Sequence, residues 1–388
     1  MVTIDHDAVL RARVLLLGSG RPSRAELAGA YRVLAEVSPK AYLPKLVGAL
    51  LSLRYESRDP EVAVTLTAEA SRAARRLEPG ARDRAELLRQ ALDAHQVALF
   101  DLGHRAEGRA VCEELAEAGW SGPLAKVLAE EGYFEEAAEL DGKGARNGGP
   151  DFWHAVCRAA NLEGAGRHDA ASAVFGELLE QSRCEAAEQR TSLAGFTWEL
   201  VHFSRMREAA GDGAGAAVAR CEALRVLEEL AATGEPKNWS CILECWRTLF
   251  VLSGRAAEPA ASPESPMPPF GTAHGWSGDV RGGFLGMEPG LVAEAAELRE
   301  AGRLAELVDV RRRIAVRAAV RDGAHHYRFE ERFTPHFDEG VALARRLPDD
   351  PVRLARALTD RSMFLLAARS FAPAHADFAE AVALLQDR

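Results

Sequence analysis

Residues 152–179 read FWHAVCRAANLEGAGRHDAASAVFGELL, and the fold hangs on what this stretch forms. Its apolar residues recur at intervals of three and four, which lays a stripe along a helix rather than alternating across a strand. The first helix is predicted to end near Gly166, because glycine tolerates the left-handed conformation that closes a helix. The second then places Ala171 five residues after that glycine and Phe175 four residues later. A small residue lets the two helices approach, and an aromatic fills the space beyond them. The stretch therefore predicts two antiparallel helices joined by a tight turn.

The same offsets recur outward from it. In EGYFEEAAEL, Gly132 precedes Ala137 by five and lies 34 residues before Gly166. In GDGAGAAVARCEAL, Gly211, Ala216 and Ala223 fall at matching places. In RSFAPAHADFAEAV, Ala374, Phe378 and Ala381 fit, with Arg369 standing where the glycine would be. Weaker echoes surround Gly103 and Gly302. This pattern resembles the second half of a tetratricopeptide repeat, which closes with G-x4-A-x3-F, and 34 residues is that family's period. The resemblance covers 95–388 apart from one Pro/Gly-rich segment. The family's W-x2-L-G-x2-Y half is missing, and the glycine intervals of 29, 34 and 45 are irregular, so the repeats are degenerate. An α-solenoid of another type is the alternative, since all such arrays share one packing logic.

The resemblance implies an all-α, TPR-like superhelix of antiparallel helical hairpins with a concave, partner-holding face. On the family register Trp153, Val156, Arg356 and Thr359 line that face.

Composition agrees with helices. Alanine, leucine, arginine and glutamate dominate, all of them good helix formers. The chain has 388 residues, 47% hydrophobic and 27% charged, which suits a folding chain rather than a disordered one. Its formal net charge of −10 argues against general nucleic-acid binding, which calls for a basic surplus. No apolar run approaches the ~20 residues of a membrane span. The opening MVTIDHDAVLRARVLLLGSG has acids first and arginines inside its apolar run, unlike a signal peptide. A cytoplasmic protein is expected, and the Ala, Arg and Gly bias suggests a GC-rich bacterial genome. The six cysteines form no CxxC pair and read as reduced thiols. Cys241 and Cys245 share a helix face, but no second ligand pair for zinc accompanies them.

Helical spacing marks 82–102, 105–118, 151–164, 168–182, 214–232, 291–301, 303–321, 351–368 and 372–386, within a total of roughly 16 to 18 helices. Residues 254–290, GRAAEPAASPESPMPPFGTAHGWSGDVRGGFLGMEPG, break the rhythm and hold no helix of normal length on this reading. The first half is linker-like. The second carries Phe270, Trp276, Phe284, Leu285 and Met287, which suggests docking against the helices. The expected organisation is a helical capping region (1–94), a TPR-like array (95–253), this linker or lid loop (254–290) and a second array (291–388). Deleting 258–288 is expected to leave the helical fold intact.

Four motifs invite chemistry. VLLLGSGRPS (14–23), with Glu36 beyond it, has a Gly-x-Gly turn, but no alternating strands follow, and residues 8–17 read equally as a helix capped by Gly18. SRAELAGAYRVLAEVSPKAYLPKL (23–46) loosely resembles a helix-turn-helix punctuated by Pro39 and Pro44. His326 and Glu330, beside His325 and His336, have metal-chelating spacing, although Phe329, Phe333 and Phe337 point to a packing helix. Arg311, Arg312, Arg313, Arg317 and Arg321 form a basic stripe, either a solvated face balanced by nearby Asp and Glu or an anchor for an acidic peptide or phosphate in which Arg313 and Arg317 would bind the partner. There is no Walker loop, nucleophile elbow or HExxH. No cofactor and no metal are expected, and the chain reads as a non-enzyme. Its expected role is an adaptor or scaffold for another protein or peptide, with homo-oligomerisation open. The alternative is a sensory regulator that takes a small peptide or metabolite, with 254–290 as its lid; an enzyme on a helical scaffold ranks below both.

Overall fold

A computed structural model describes residues 5–18, 20–144, 152–235, 242–271, 275–322 and 328–386. Every regular element among them is a helix. The contacts divide the chain into two compact units, Met1–Val127 with Ser277–Asp279, and Leu128–Trp276 with Val280–Arg388. The boundary at 127/128 falls inside the segment 95–253.

The first unit holds α1 (His6–Leu17), α2 (Arg24–Val37), α3 (Pro39–Arg54), α4 (Pro60–Arg75), α5 (Arg84–Asp101) and α6 (Arg105–Glu117). Local chemistry starts them. Ser23 and Glu26 close a capping box at α2, and Asp59 caps α4 ahead of Pro60. Each helix packs on the next in sequence, and Leu43, Val47, Leu50, Ala70 and Ala74 form the buried centre. Residues 8–17 lie in α1, so the Gly-x-Gly motif follows a helix and not a strand. The helix-turn-helix candidate becomes α2 and α3, with Pro39 in the first turn of α3 and Pro44 inside it.

The second unit follows α7 (Gly122–Glu130), which straddles the boundary. It contains α8 (Phe134–Gly144), α9 (Phe152–Gly164), α10 (His168–Ala187), α11 (Leu193–Ala209), α12 (Gly213–Thr233) and α13 (Ile242–Leu252). After the Pro-rich stretch come α14 (Gly278–Gly286), α15 (Glu288–Glu300), α16 (Leu304–Asp322), α17 (Phe329–Ala344), α18 (Pro351–Ala367) and α19 (Phe371–Gln386). Two runs of neighbouring helices, α8 to α12 and α15 to α19, meet where α19 packs on α12. Between them α13 touches α11, α16 and α18.

Six of the turns between these helices share one backbone geometry. Gly103, Gly132, Gly166, Gly211 and Gly302 all have positive φ, between 68° and 85°. Arg369, in the sixth turn, has φ 61°. At each, the next residue's N–H donates to a carbonyl five residues back, as in Arg167 to Leu162 (2.8 Å) and Ser370 to Leu365 (2.8 Å). This is the helix-closing bond that a left-handed residue allows. Beyond the turns, Ala137, Ala171, Ala216 and Ala374 are wholly buried, and Phe175 and Phe378 are buried as well. At the Gly103 hairpin a glycine takes the alanine's place, and a Cβ on Gly108 would stand 2.9 Å from the Phe100 ring.

The interior of the second unit is filled by rings. Trp246 of α13 stacks on Phe250 at 5.5 Å and meets Phe329 (5.0 Å) and Phe333 (5.4 Å) of α17 edge-on. Phe337 and Phe364 complete the cluster, with centroids 4.8 Å apart. Phe329, Phe333 and Phe337 are thus a packing stripe. His325 and His326 lie outside the described residues, as does Cys241. Among the described residues no group of three potential ligands could hold a metal ion, and no helix is long and apolar enough to cross a membrane.

The segment 254–290 departs from its loop expectation. Arg255–Ala257 form one 3-10 turn, Gly278–Gly286 form α14, and α15 begins at Glu288. Phe270, Trp276 and Phe284 are buried and meet as three mutually edge-on rings, 5.5 to 5.8 Å apart. The linker-like half is also anchored: the Glu258 side chain is 1% exposed, and Met267 N donates to Glu130 O at 2.9 Å.

Candidate functional site

Inside the second unit, α9, α11, the end of α13 and residues 255–270 enclose a cleft of ≈480 Å³. Its apolar wall includes Phe134, Met206, Leu252, Met267, Pro268 and Phe270, and its polar groups are Glu163, His202, Arg205, Ser253, Arg255 and Glu258. The sequence dictates part of this shape. A Cβ on Gly164 would overlap Arg255 and stand 2.6 Å from the Phe134 ring, so glycine lets the guanidinium pass. Arg255 lies over that ring, 4.5 Å from its centroid, and donates to the carbonyl of Ala160. Gly132 is constrained twice, by φ 85° and by the Ala261 carbonyl 2.5 Å from where a Cβ would stand, so the backbone at Ala261 passes close over that turn.

The charges behind the wall are shared unequally. Asp360, 6% exposed, accepts from Arg312 Nε at 2.6 Å and from Arg205 Nη2 at 2.7 Å. Arg312 also donates to the Ser253 hydroxyl (2.6 Å) and carbonyl (3.1 Å). Burial alone would raise the Asp360 carboxyl, but the charges of Arg312 and Arg205 outweigh it and hold it below the usual range. Glu258 accepts from Arg317 at 2.7 and 2.9 Å and from Arg313 at 3.3 Å. Burial would raise it too, and hydrogen bonds from Arg317 and then Arg313 overcome that. Arg317 is fully buried and lies 4.1 Å from the centre of the Phe284 ring. Burial raises the Glu163 carboxyl against the nearby Arg255, and lowers both Arg255 and Arg205 from their ordinary values.

His202 sits one turn beyond Glu199 on α11, and both are almost fully buried. Burial lowers His202 to about 3 and raises Glu199 to about 8, so near neutral pH the imidazole is uncharged and the carboxyl is largely protonated. Among the described residues, Nδ1 of His202 and Oε2 of Glu199 have no hydrogen-bond partner.

The residues named from the sequence do not assemble into this cleft. Trp153 is half-buried, edge-on to Phe152 at 4.9 Å. Val156 is wholly buried. Thr359 donates to Ala355 within its own helix, and Arg356 pairs with Asp309. Arg313 and Arg317 reach the site through Glu258. The basic stripe is balanced by carboxylates, as the solvated-face reading has it, but Arg317 within it is buried rather than solvated. Arg311 pairs with Glu339, Arg312 with Asp360, and Arg321 with Glu288 and Asp322. The cleft residues were missed because α9, α11 and 253–270 are brought together only by folding. The Gly164-Arg255-Phe134 approach leaves no local signal, whereas Phe270 was among the apolar residues expected to dock against the helices.

A scan of protein-family models finds no match to the chain, and no curated protein matches it.

Proposed function

We propose that this chain is a degenerate tetratricopeptide-like array whose C-terminal unit receives a short peptide or small metabolite and relays its presence to an output partner. The cleft is the observation that carries the reading. It has the volume, the mainly apolar wall and the few convergent polar groups of a small-ligand site. The hairpin turns and their alanine contacts support the family resemblance. The buried state of Val156, Arg317 and Thr359 favours the sensory reading over an adaptor that holds its partner along a concave face. The strap 259–268 supplies one wall, so its order and the ligand's presence would be coupled. A cytoplasmic setting belongs to the same reading.

The test is a thermal-shift screen of the full chain against short apolar peptides and bacterial metabolites. A ligand of this site raises Tm by mass action and loses that effect in Ala209→Trp, which blocks the mouth at an exposed position. A stoichiometric protein partner captured without any small ligand, together with a silent screen, would return the chain to the adaptor class.

A further inference from the structure

The cleft has a charge preference written into its wall. Its lining residues, and those bonded to them through a side chain, include five guanidiniums: Arg205, Arg255, Arg312, Arg313 and Arg317. They face three carboxylates: Glu163, Glu258 and Asp360. The two most buried of those, Glu258 and Asp360, are each divided between two arginines. A guanidinium cannot shed its proton in a protein, so the surplus of cations is fixed. In a wall of low dielectric such a surplus acts more strongly than it would in water.

The guanidiniums are not equally reachable. Arg317 is fully buried and makes four hydrogen bonds, to Glu258, the Phe284 carbonyl and the Arg313 carbonyl. Arg312 is occupied by Asp360 and Ser253. Arg255 lies beside Glu163, which offsets it. Arg205 shares its counter-ion with Arg312, lines the cleft directly and keeps 27% of its side chain exposed. Next to it on the same face of α11 stands His202, uncharged.

We infer that the cleft selects amphiphilic carboxylates, with the apolar body against Phe134, Met206, Met267 and Phe270 and the carboxylate on Arg205. This inference rests on the cleft being the ligand site proposed above. Two sources supply the chemistry: the C-terminus of a short apolar peptide, and a medium-chain acyl carboxylate.

Isothermal titration of the full chain with two matched pairs tests it. One pair is octanoate and 1-octanol; the other is acetyl-Leu-Phe and its C-terminal amide. Within the pair that fits, the carboxylate is expected to bind at least about tenfold more tightly than its neutral counterpart, as a charge-assisted bond allows. The pair showing the gap identifies the source. Arg205→Met is expected to close that gap. Arg321→Met, whose side chain pairs with Glu288 and Asp322 outside the cleft lining, is expected to leave it; circular dichroism checks that both variants are folded, and should Arg205→Met unfold, the wild-type gap and its loss in high salt carry the test. Equal binding within each pair overturns the carboxylate preference while leaving the cleft as the binding site. A gap that survives in a folded Arg205→Met overturns the assignment to Arg205. No binding by any of the four overturns the inference, and a ligand found in the broader screen would show that the cleft reading outlives it.

Discussion

Arg369 holds φ at 61° in a position that five other hairpins fill with glycine. A side chain in that region is strained by about 1–2 kcal/mol, partly offset because glycine loses more freedom on folding. Arg369→Gly is therefore expected to stabilise the chain by up to about 1 kcal/mol, and Gly166→Ala to destabilise it by about 1 kcal/mol. Scanning calorimetry of both variants checks the pair, and equal signs would contradict the backbone account. The second residue-scale effect concerns Glu199 and His202. Burial raises Glu199 to about 8, so the folded state retains a proton that the unfolded chain releases near its ordinary value of about 4.3. That stability is full at low pH and is lost as pH climbs towards 8. His202 has the opposite sense: its folded pKa is depressed to about 3, so its contribution is present above its ordinary value of about 6.5 and lost as pH falls. The two slopes cancel between about pH 4.5 and 6.5, which leaves a net decline above that range. Glu199→Gln is expected to remove the decline between pH 6.5 and 8 in urea titrations; an unchanged pH profile would show that Glu199 is ionised in the fold.

Among the elements, the stretch 254–290 has changed most in meaning. A run rich in proline and glycine reads as a connector, and its removal reads as harmless. In the fold it supplies Glu258 to two arginines, Met267 and Phe270 to the cleft, and Trp276 and Phe284 to the main core. Deleting 258–288 would leave Arg317 buried without a counter-ion and open the three-ring cluster, so loss of cooperative folding in the second unit is now the expected result. A single change isolates the ionic part. Glu258→Ala strands Arg317 in the core and is expected to cost about 3–5 kcal/mol, the range for breaking a buried pair from one side. Replacing Glu258 and Arg317 together with methionine should cost less than Glu258→Ala, since no buried charge is then left behind by that pair. Equilibrium unfolding in urea measures both. Elsewhere, pairs 32 to 40 residues apart join neighbouring hairpins, among them Arg32–Glu69, Arg75–Glu114, Arg183–Glu222 and Arg167–Glu135. These are solvent-exposed to differing degrees and act more on register than on stability.

At the scale of the whole molecule, the second unit differs from a simple row of hairpins because its last helix touches an early one. Ala374, Phe378, Ala381 and Val382 of α19 are buried, and α19 packs on both α18 and α12. Truncation after residue 368 is expected to broaden or abolish the unfolding transition of this unit. In an open array the same cut would remove one terminal layer at modest cost. What the sequence determined unaided was local: helix stripes and six of the turn positions. These follow from steric rules acting within a few residues, so 168–182, 351–368 and 372–386 were recognisable helices, and even Arg369 was placed in its turn. What only the tertiary structure decided was the cleft and its charges. Arg317 meets Glu258 across 59 residues and Arg312 meets Asp360 across 48. Residues so far apart are brought together by how helices stack, and no spacing rule reaches that far. The basic stripe looked like a surface because its partners lie on other elements, and residues 258–267 looked loose because the atoms that anchor Glu258 and Met267 belong to α16 and α7.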